Sequence, residues 1–377
     1  MKRVGLVSGK IAAFLSLPVI FVMILIMACT QNPTAPQEAA SKELTFVQFN
    51  DAQEPAMAPA DEPTTPINRN RRDVRYGPAQ GQPGYHARQV LDLTLPSTGE
   101  GPWPLIMYIH GGAFTGGSKG SPDAAFGGHG GRGYALADIN YRLASTGTKA
   151  FPEAVQDALA AIRHLRANAV EYRLDPTRFA VAGFSAGGYF AAIVCALSGL
   201  DDDDPDLLYF IDSNLGNTHV SSKVQAAASA AALSDFTKMR EHQQANPNVN
   251  YMITPGTASS PEGQFLGGAF MPPTNDAVRE RLERSNPLRY LNANTPPIIM
   301  KHGTTDNLLP PQQSSIMVDA INAITPNKAV YYPVTGGHVG WAANEANRVF
   351  DFLNEAMPVG KTSIKESNRE IPKMYIE

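Results

Sequence analysis

The chain alternates between short apolar runs and longer segments with helical periodicity. In residues 152–168, Val155, Leu159, Ile162 and Leu165 recur at the spacing of a helix with one apolar face. Further helices are predicted at residues 189–197, 312–324 and 341–356, and strands at residues 90–96, 105–109, 133–142, 178–182, 297–302 and 329–334. Strands that alternate with helices predict an α/β fold, a mostly parallel and doubly wound sheet with helices on both faces.

Three segments between these elements have weaker patterns. Residues 224–233 are rich in Ala, and a strand fits there only because it continues the alternation. Residues 127–131 (GGHGG) are followed by no Lys-Ser/Thr pair, so a phosphate-binding loop is not expected and a flexible connection is. Residues 243–273 form a polar insertion rich in Gly and Pro, which suits either a lid over a site or a long surface loop.

The N-terminal part differs in composition from the rest. Lys2, Arg3 and Lys10 precede the apolar residues 11–28, a pattern that predicts a signal peptide over residues 1–28. Residues 26–29 (IMAC) resemble the bacterial lipobox, whose cysteine, here Cys29, becomes lipidated and anchors the protein to a membrane.

Thr30 rather than Asp follows that cysteine, which favours the outer membrane as the destination of such a lipoprotein. The alternatives are a plain signal peptide, with a periplasmic or secreted product, and an uncleaved anchor helix. The polar residues 29–72 predict a flexible tether, followed by a folded domain over residues 73–357 and a C-terminal tail over residues 358–377.

Composition narrows the classes of function. With 377 residues, 43% hydrophobic and 18% charged, the chain can bury the core of one α/β domain. A formal charge of −4 gives the chain no net positive potential that would attract phosphate groups, so nucleic acid is not an expected partner. The acidic residues 201–204 lack the spaced ligands and turn-making Gly of a calcium loop, and neither a metal nor a cofactor is expected. Cys195 lies in an apolar segment and is predicted to be buried and unreactive.

Residues 182–188 (AGFSAGG) join a predicted strand to a predicted helix. A serine at such a turn projects its hydroxyl from the top of the sheet. The flanking Gly183 and Gly187 are needed because a Cβ at either position would collide with the neighbouring strand and helix. The spacing predicts a nucleophile elbow with Ser185 as the nucleophile.

Two further strand ends carry the partners that a serine nucleophile requires. Asp306 follows the predicted strand at residues 297–302, and His338 follows the one at residues 329–334. In this chemistry the histidine takes the serine proton and returns it to the leaving group, while the acid orients the imidazole. Asp235 is a rival acid, and His302 and His129 are weaker rival bases.

A negative oxygen develops on the substrate carbonyl during attack, and preorganised amide groups must stabilise it. The amides of Gly111, Gly112 and Ala186 are the candidates for this oxyanion hole. The order Ser185, Asp306, His338 along the chain is that of the α/β-hydrolases.

Several of these motifs resemble the bacterial carboxylesterases of the hormone-sensitive-lipase and feruloyl-esterase-like group of α/β-hydrolases. The resemblance spans about residues 73–357 and rests on residues 110–114 (HGGAF), 138–143 (DINYRL), 182–188, 303–310 and 336–338. It implies a serine esterase of small acyl, acetyl or aryl esters, without metal or cofactor. The HGGG form of many relatives is HGGA here, so the loop beyond Gly112 can differ from theirs. An arylformamidase-like amidase and a catalytically silent hydrolase fold used for binding are the alternatives.

Overall fold

The computed structural model describes residues 67–358, which lie within one compact unit, Thr65–Glu377. Its strands are β1 (Asn70–Arg75), β2 (Val90–Thr94), β3 (Trp103–Ile109), β4 (Ala135–Ile139), β5 (Leu174–Phe184), β6 (Ala226–Ala230), β7 (Ile298–Gly303) and β8 (Ala329–Val334). They form one sheet in the order β1-β2-β4-β3-β5-β6-β7-β8. Pairing is antiparallel for β1 with β2 and for β2 with β4, and parallel from β4 through β8. The mostly parallel sheet predicted from the sequence is confirmed.

Helices follow the strands as the alternation predicts. They are α1 (Glu153–Ala167), α2 (Ala186–Leu197), α3 (Pro205–Leu208), α4 (Met239–Gln244), α5 (Pro261–Leu266), α6 (Asp276–Arg284), α7 (Gln312–Ile324) and α8 (Ala346–Ala356). Across residues 67–358, no helix combines the length and the apolar character that a membrane span requires.

Alternate residues of β3 contribute side chains to two hydrophobic cores, one on each face of the sheet. Leu105, Met107 and Ile109 pack into a large cluster that includes buried residues of α1, α2 and α7. Ile106 and Tyr108 point to the opposite face, where they pack with residues of α8. All seven residues of β3 are buried, as a central strand covered by helices on both sides requires.

Several element boundaries differ from the predictions. Residues 127–131 are not a flexible connection but part of a 3-10 helix, Ala124–Arg132, whose Phe126 and His129 are buried. The closing helix begins at Ala346 rather than at Trp341, because the Trp341 amide donates to Asp123 Oδ2 (2.8 Å) while its side chain is buried.

The sheet also starts earlier than expected. β1 begins at Asn70, three residues inside the predicted tether, and Asn70 pairs with Thr94 of β2. The Ala-rich segment 224–233 does contain a strand, β6. Cys195 is buried, as predicted, and burial raises the pKa of its thiol to about 12. The predictions for residues 1–66, including Cys29, and for residues 359–377 lie outside the described residues.

Candidate active site

Ser185 occupies a strained turn between β5 and α2. Its φ of 57° and ψ of −120° are conformations that a residue with a side chain rarely adopts. The Ser185 amide donates to the Ala230 carbonyl of β6 (2.9 Å), which ties the turn to the neighbouring strand. The geometry is that of the predicted elbow, with the hydroxyl held at the carboxyl end of the sheet.

Glycines permit this turn because the backbones around it nearly touch. A Cβ added at Gly187 would overlap the Ile109 carbonyl oxygen at the end of β3. One added at Gly183 would overlap the Gly187 carbonyl oxygen. The steric reason inferred from the Gly-x-Ser-x-Gly spacing therefore matches the observed contacts.

The structure brings Ser185, His338 and Asp306 together in one hydrogen-bonded chain. His338 Nε2 lies 2.9 Å from Ser185 Oγ, and His338 Nδ1 lies 2.7 Å from Asp306 Oδ2. They follow β5, β8 and β7, parallel strands whose carboxyl ends lie at one edge of the sheet. With Nδ1 donating to the carboxylate, Nε2 is free to accept the serine proton.

Asp306 is fully buried and accepts three hydrogen bonds. Its Oδ1 accepts from the amides of Leu308 (2.8 Å) and Leu309 (2.9 Å), and its Oδ2 accepts from His338. His302 Nε2 lies 3.2 Å from the same Oδ2. Burial alone would raise the pKa of this carboxyl, but the nearby His302 and His338 lower it below its ordinary value. Asp306 is therefore an anion at neutral pH.

The rival residues have other roles. The Asp235 carboxylate accepts from the amide (2.8 Å) and hydroxyl of Thr237 and caps a 3-10 turn. His129 Nδ1 bonds the Tyr134 carbonyl oxygen (2.8 Å). His302 contacts the acid rather than the nucleophile: its Nε2 faces Asp306 and the Leu309 carbonyl, so this nitrogen carries the proton, and Nδ1 accepts from the Ser314 hydroxyl (2.7 Å).

The loop after β3 turns sharply at the predicted oxyanion residues. Gly112 has a φ of 125°, and Ala113 and Phe114 follow with φ of 53° and 63°. The Gly112 carbonyl accepts from the amides of Thr115 (3.1 Å) and Gly116 (2.9 Å). A Cβ at Gly111 would lie 2.9 Å from the Phe184 carbonyl oxygen, so this loop packs directly against the elbow.

The side chains of Arg88 and His110 hold that loop through hydrogen bonds to its backbone carbonyl groups. Arg88 Nη2 lies 3.2 Å from His110 Nε2 and donates to the Gly117 carbonyl (2.8 Å), while its Nε donates to the Tyr141 carbonyl (2.7 Å). His110 Nδ1 donates to the Gly111 carbonyl (2.6 Å). Burial and the charge of Arg88 lower the pKa of His110 to about 4, although the bond to Gly111 opposes this shift. His110 is neutral at physiological pH.

A small cavity opens on Ser185 and His338. Its volume is ≈ 40 Å³, and its apolar walls include Ala113, Phe114, Leu233, Ile253, Pro261 and Leu309. Glu262 also lines it. Ile253, Pro261 and Glu262 belong to residues 243–273, so this insertion covers the site; its opening as a lid stays a prediction.

Phe114 lines the cavity, whereas Trp341 does not. Phe114 stacks on Phe265 of the insertion, with ring centroids 4.2 Å apart. Trp341 is buried on the opposite face of the sheet, where it stacks on Tyr332.

Three residues at the site were not assigned a role there from the sequence. Arg88 and Glu262 carry no motif, and His302 was considered only as a rival base. Arg88 bonds His110, 22 residues further along the chain, and Glu262 lines the cavity from the insertion, so no local pattern indicates these two residues. His302 is only four residues from Asp306, but the contact between their side chains becomes apparent only in the fold. Within residues 67–358, no three His, Cys, Asp or Glu side chains are grouped so as to hold a metal ion.

Comparisons with known proteins agree with this architecture. The sequence model of the family described as BD-FAE matches residues 91–321. The chain is 27% identical over 247 residues to the probable carboxylic ester hydrolase LipM of Mycobacterium tuberculosis, covering 65% of this chain and 49% of LipM. It is 26% identical over 292 residues to esterase LipC of the same organism, covering 74% of this chain and 64% of LipC. The chain thus spans about half to two thirds of the length of these relatives.

A solved structure is similar over most of the domain. The bifunctional GH43-CE protein of Bacteroides eggerthii superposes with a TM-score of 0.61 at 25% identity, covering 77% of this chain and 38% of that chain. The described domain has the α/β-hydrolase fold.

Proposed function

The chain belongs to the BD-FAE family, and from this premise we propose that it is a serine carboxylic-ester hydrolase that works through an acyl-enzyme on Ser185. The observation that carries the proposal is the hydrogen-bonded chain from Ser185 through His338 to Asp306, which opens on a cavity. Two mycobacterial relatives bear ester-hydrolase names, which supports the same reaction class.

In the first half-reaction, Ser185 Oγ attacks the ester carbonyl carbon while its proton moves to His338 Nε2. The carbonyl oxygen becomes an oxyanion that accepts hydrogen bonds from the amides of Gly111, Gly112 and Ala186. The oxyanion then collapses, the bond from carbon to the alcohol oxygen breaks, and His338 gives that oxygen its proton. The products are a free alcohol and an acyl-Ser185 ester.

In the second half-reaction, water takes the place of the alcohol. His338 removes a proton from the water as it attacks the acyl carbon, and the bond to Ser185 Oγ then breaks. The proton returns to the serine, and a carboxylic acid leaves. Asp306 remains an anion throughout and stabilises the imidazolium formed in each step.

Substrates with short acyl groups fit best. A water molecule needs roughly 10–15 Å³ of such space, so a cavity of ≈ 40 Å³ holds about three groups of that size. An acetyl group has three non-hydrogen atoms, whereas an octanoyl chain would require residues 243–273 to move. We therefore infer esters of acetyl and other short acyl groups as the substrate class, with any aryl group on the alcohol side.

The test is hydrolysis of p-nitrophenyl acetate, butyrate and octanoate by the purified chain and by Ser185→Ala. We expect turnover that falls from acetate to octanoate, and a loss of about 10⁴-fold or more in Ser185→Ala. Ser97→Ala is a matched control, because Ser97 is exposed on a loop before β3. Equal activity in Ser185→Ala would contradict the proposal.

Two alternatives share the site and predict other results. An arylformamidase-like amidase would hydrolyse N-formyl anilides faster than p-nitrophenyl acetate. A silent binding fold would show no turnover and no reaction of Ser185 with a fluorophosphonate, even though the protein is folded.

A further inference from the structure

Glu262 is an acidic residue that lines the reaction cavity. It is the second residue of α5, in the insertion that covers Ser185, and only 2% of its surface is exposed. The start of this helix already has its own cap, because the Ser260 hydroxyl accepts from the Gly263 amide (3.1 Å). Glu262 is thus not needed as the capping side chain.

One oxygen of this carboxyl is buried without a partner. Glu262 Oε2 has no hydrogen bond to any residue in the part of the chain that the structure describes. Burial raises the pKa of Glu262, and hydrogen bonds from its own amide and from Ser260 only partly oppose this. A buried carboxyl oxygen without a donor is costly. A rotation of the Glu262 side chain that lets Oε2 pair with a group in the cavity would recover that energy.

The rest of the cavity is apolar. Apart from Ser185 and His338, which do the chemistry, Glu262 is the only lining residue among residues 67–358 with a polar side-chain atom. In ligand sites with apolar walls, a single polar group of this kind fixes the orientation of the substrate and sets its specificity. An ester whose acyl and alcohol groups are purely aliphatic would leave Oε2 unpaired, whereas an ester that carries a hydrogen-bond donor could pair with it.

We propose that Glu262 is a specificity-determining residue that hydrogen-bonds a hydroxyl group of the substrate, so that the preferred esters are short and hydroxylated. This inference rests on the proposed esterase function and adds the substrate class to it. A hydroxyl suits the site because it donates to a carboxylate and also accepts from a protonated carboxyl. It therefore pairs with Glu262 in either state.

The experiment uses two pairs of esters in which a hydroxyl replaces a methyl group. Methyl glycolate and methyl propionate place the hydroxyl on the acyl side, while 2-hydroxyethyl acetate and propyl acetate place it on the alcohol side. The rate of acid release gives kcat/KM for each ester, and the measured quantity is the ratio within each pair. The enzymes are the wild type, Glu262→Leu, Glu262→Gln and Gln264→Leu.

We expect the wild type to favour the hydroxylated member of at least one pair. The pair that shows the preference identifies whether Glu262 recognises a hydroxyl on the acyl side or on the alcohol side of the ester. Glu262→Leu lowers that ratio by about 10-fold or more, the effect of losing a hydrogen bond to a carboxylate. Glu262→Gln keeps an acceptor oxygen and the same shape, so its ratio lies between the two. Gln264→Leu, on the same helix and bonded to Ser259 instead, keeps the wild-type ratio.

Other outcomes would overturn the inference. A purely structural Glu262 would lower both members of each pair equally and leave the ratios unchanged. Faster hydrolysis of methyl glycinate than of methyl glycolate would identify an ammonium rather than a hydroxyl as the partner. If the wild type hydrolyses p-nitrophenyl acetate but shows no preference in either pair, the esterase proposal stands and only this inference fails.

Discussion

At the scale of single residues, the site depends on how Asp306 is held. Two backbone amides and His338 donate to its carboxylate, and His302 Nε2 at the end of β7 lies 3.2 Å from its Oδ2. We therefore expect His302 to act as a positioning residue, because it contacts the acid that bonds His338. The negative charge of Asp306 and its orientation are separate contributions, and variants can separate them.

Asp306→Asn keeps the shape of the side chain but removes its charge. We expect kcat to fall by roughly 10³ to 10⁴-fold, as in other serine hydrolases whose acid is made an amide. His302→Phe removes one donor and leaves the charge, so we expect a loss of only about 10-fold. His302→Gln can still donate, and recovery of activity in this variant relative to His302→Phe, measured with p-nitrophenyl acetate, would support positioning. Equal losses in both would contradict it.

The lowered pKa of His110 predicts a pH dependence of stability. The unfolded chain binds a proton at His110 below its ordinary pKa of 6.5, while the folded chain does so only near pH 4. The free energy of unfolding therefore decreases as the pH falls from about 6.5 to about 4, by about 3 kcal/mol for this residue.

Urea unfolding of the wild type and of His110→Gln at pH 7 and pH 4 isolates this contribution, because the other histidines are common to both proteins. We expect the stability advantage of the wild type to shrink by about 3 kcal/mol at pH 4. An advantage that does not change with pH would show that His110 titrates normally in the folded state.

The chemistry of the site was visible in the sequence because each residue type sits at a strand end in a set order. Ser185, Asp306 and His338 follow predicted strands, and parallel strands bring their carboxyl ends to one edge. Arg88 and Glu262 could not be found in this way. Arg88 bonds residues that are distant in the chain, and the burial of the Glu262 side chain at the cavity becomes apparent only in the fold.

At the scale of elements, the strands and helices around the core could be predicted, and the exceptions have physical causes. The residues of β6 are Ala and Ser, which have no strong strand preference, so the pattern left the assignment open. Tertiary contacts decide it: β6 lies between β5 and β7, and a Cβ at Gly188 of α2 would lie 2.5 Å from the Ala230 carbonyl oxygen. Small residues are needed where α2 approaches this strand.

The same crowding makes the elbow sensitive to a single methyl group. Gly187→Ala would force a Cβ into the Ile109 carbonyl, and we expect a loss of about 3 kcal/mol or more in the free energy of unfolding. Gly127→Ala is the matched control, because its Cβ would meet nothing within 4 Å, and we expect a change within about 0.5 kcal/mol. Chemical denaturation measures both, and equal stabilities would contradict the close approach of α2 to β3.

At the scale of the whole molecule, alternation predicted the fold class but not the arrangement of the N-terminal strands. β1 and β2 extend the parallel sheet with antiparallel pairs, and β4 lies between β2 and β3 although β3 precedes it in the chain. Strand order depends on which strand edges meet in three dimensions. Hydrophobic periodicity reports only which faces are buried, so it could not supply this order.

The position of the protein in the cell rests on sequence alone, and we propose a lipoprotein anchored through Cys29. In a bacterial host, metabolic labelling with a radioactive fatty acid should mark the wild type, and fractionation should place it with the outer membrane. Cys29→Ser should lose the label, whereas Cys195→Ala should keep it, because Cys195 is buried in α2. Label retained in Cys29→Ser would contradict the proposal.

The acyl-enzyme is the central claim, and trapping it tests that claim most directly. Rapid mixing of the purified chain with p-nitrophenyl acetate, followed by an acid quench and peptide mass spectrometry, locates any covalent acetyl group. We expect a rapid initial release of about one p-nitrophenol per enzyme molecule, and an acetyl group on Ser185. An acetyl group on another residue while Ser185 stays unmodified during turnover would contradict that claim.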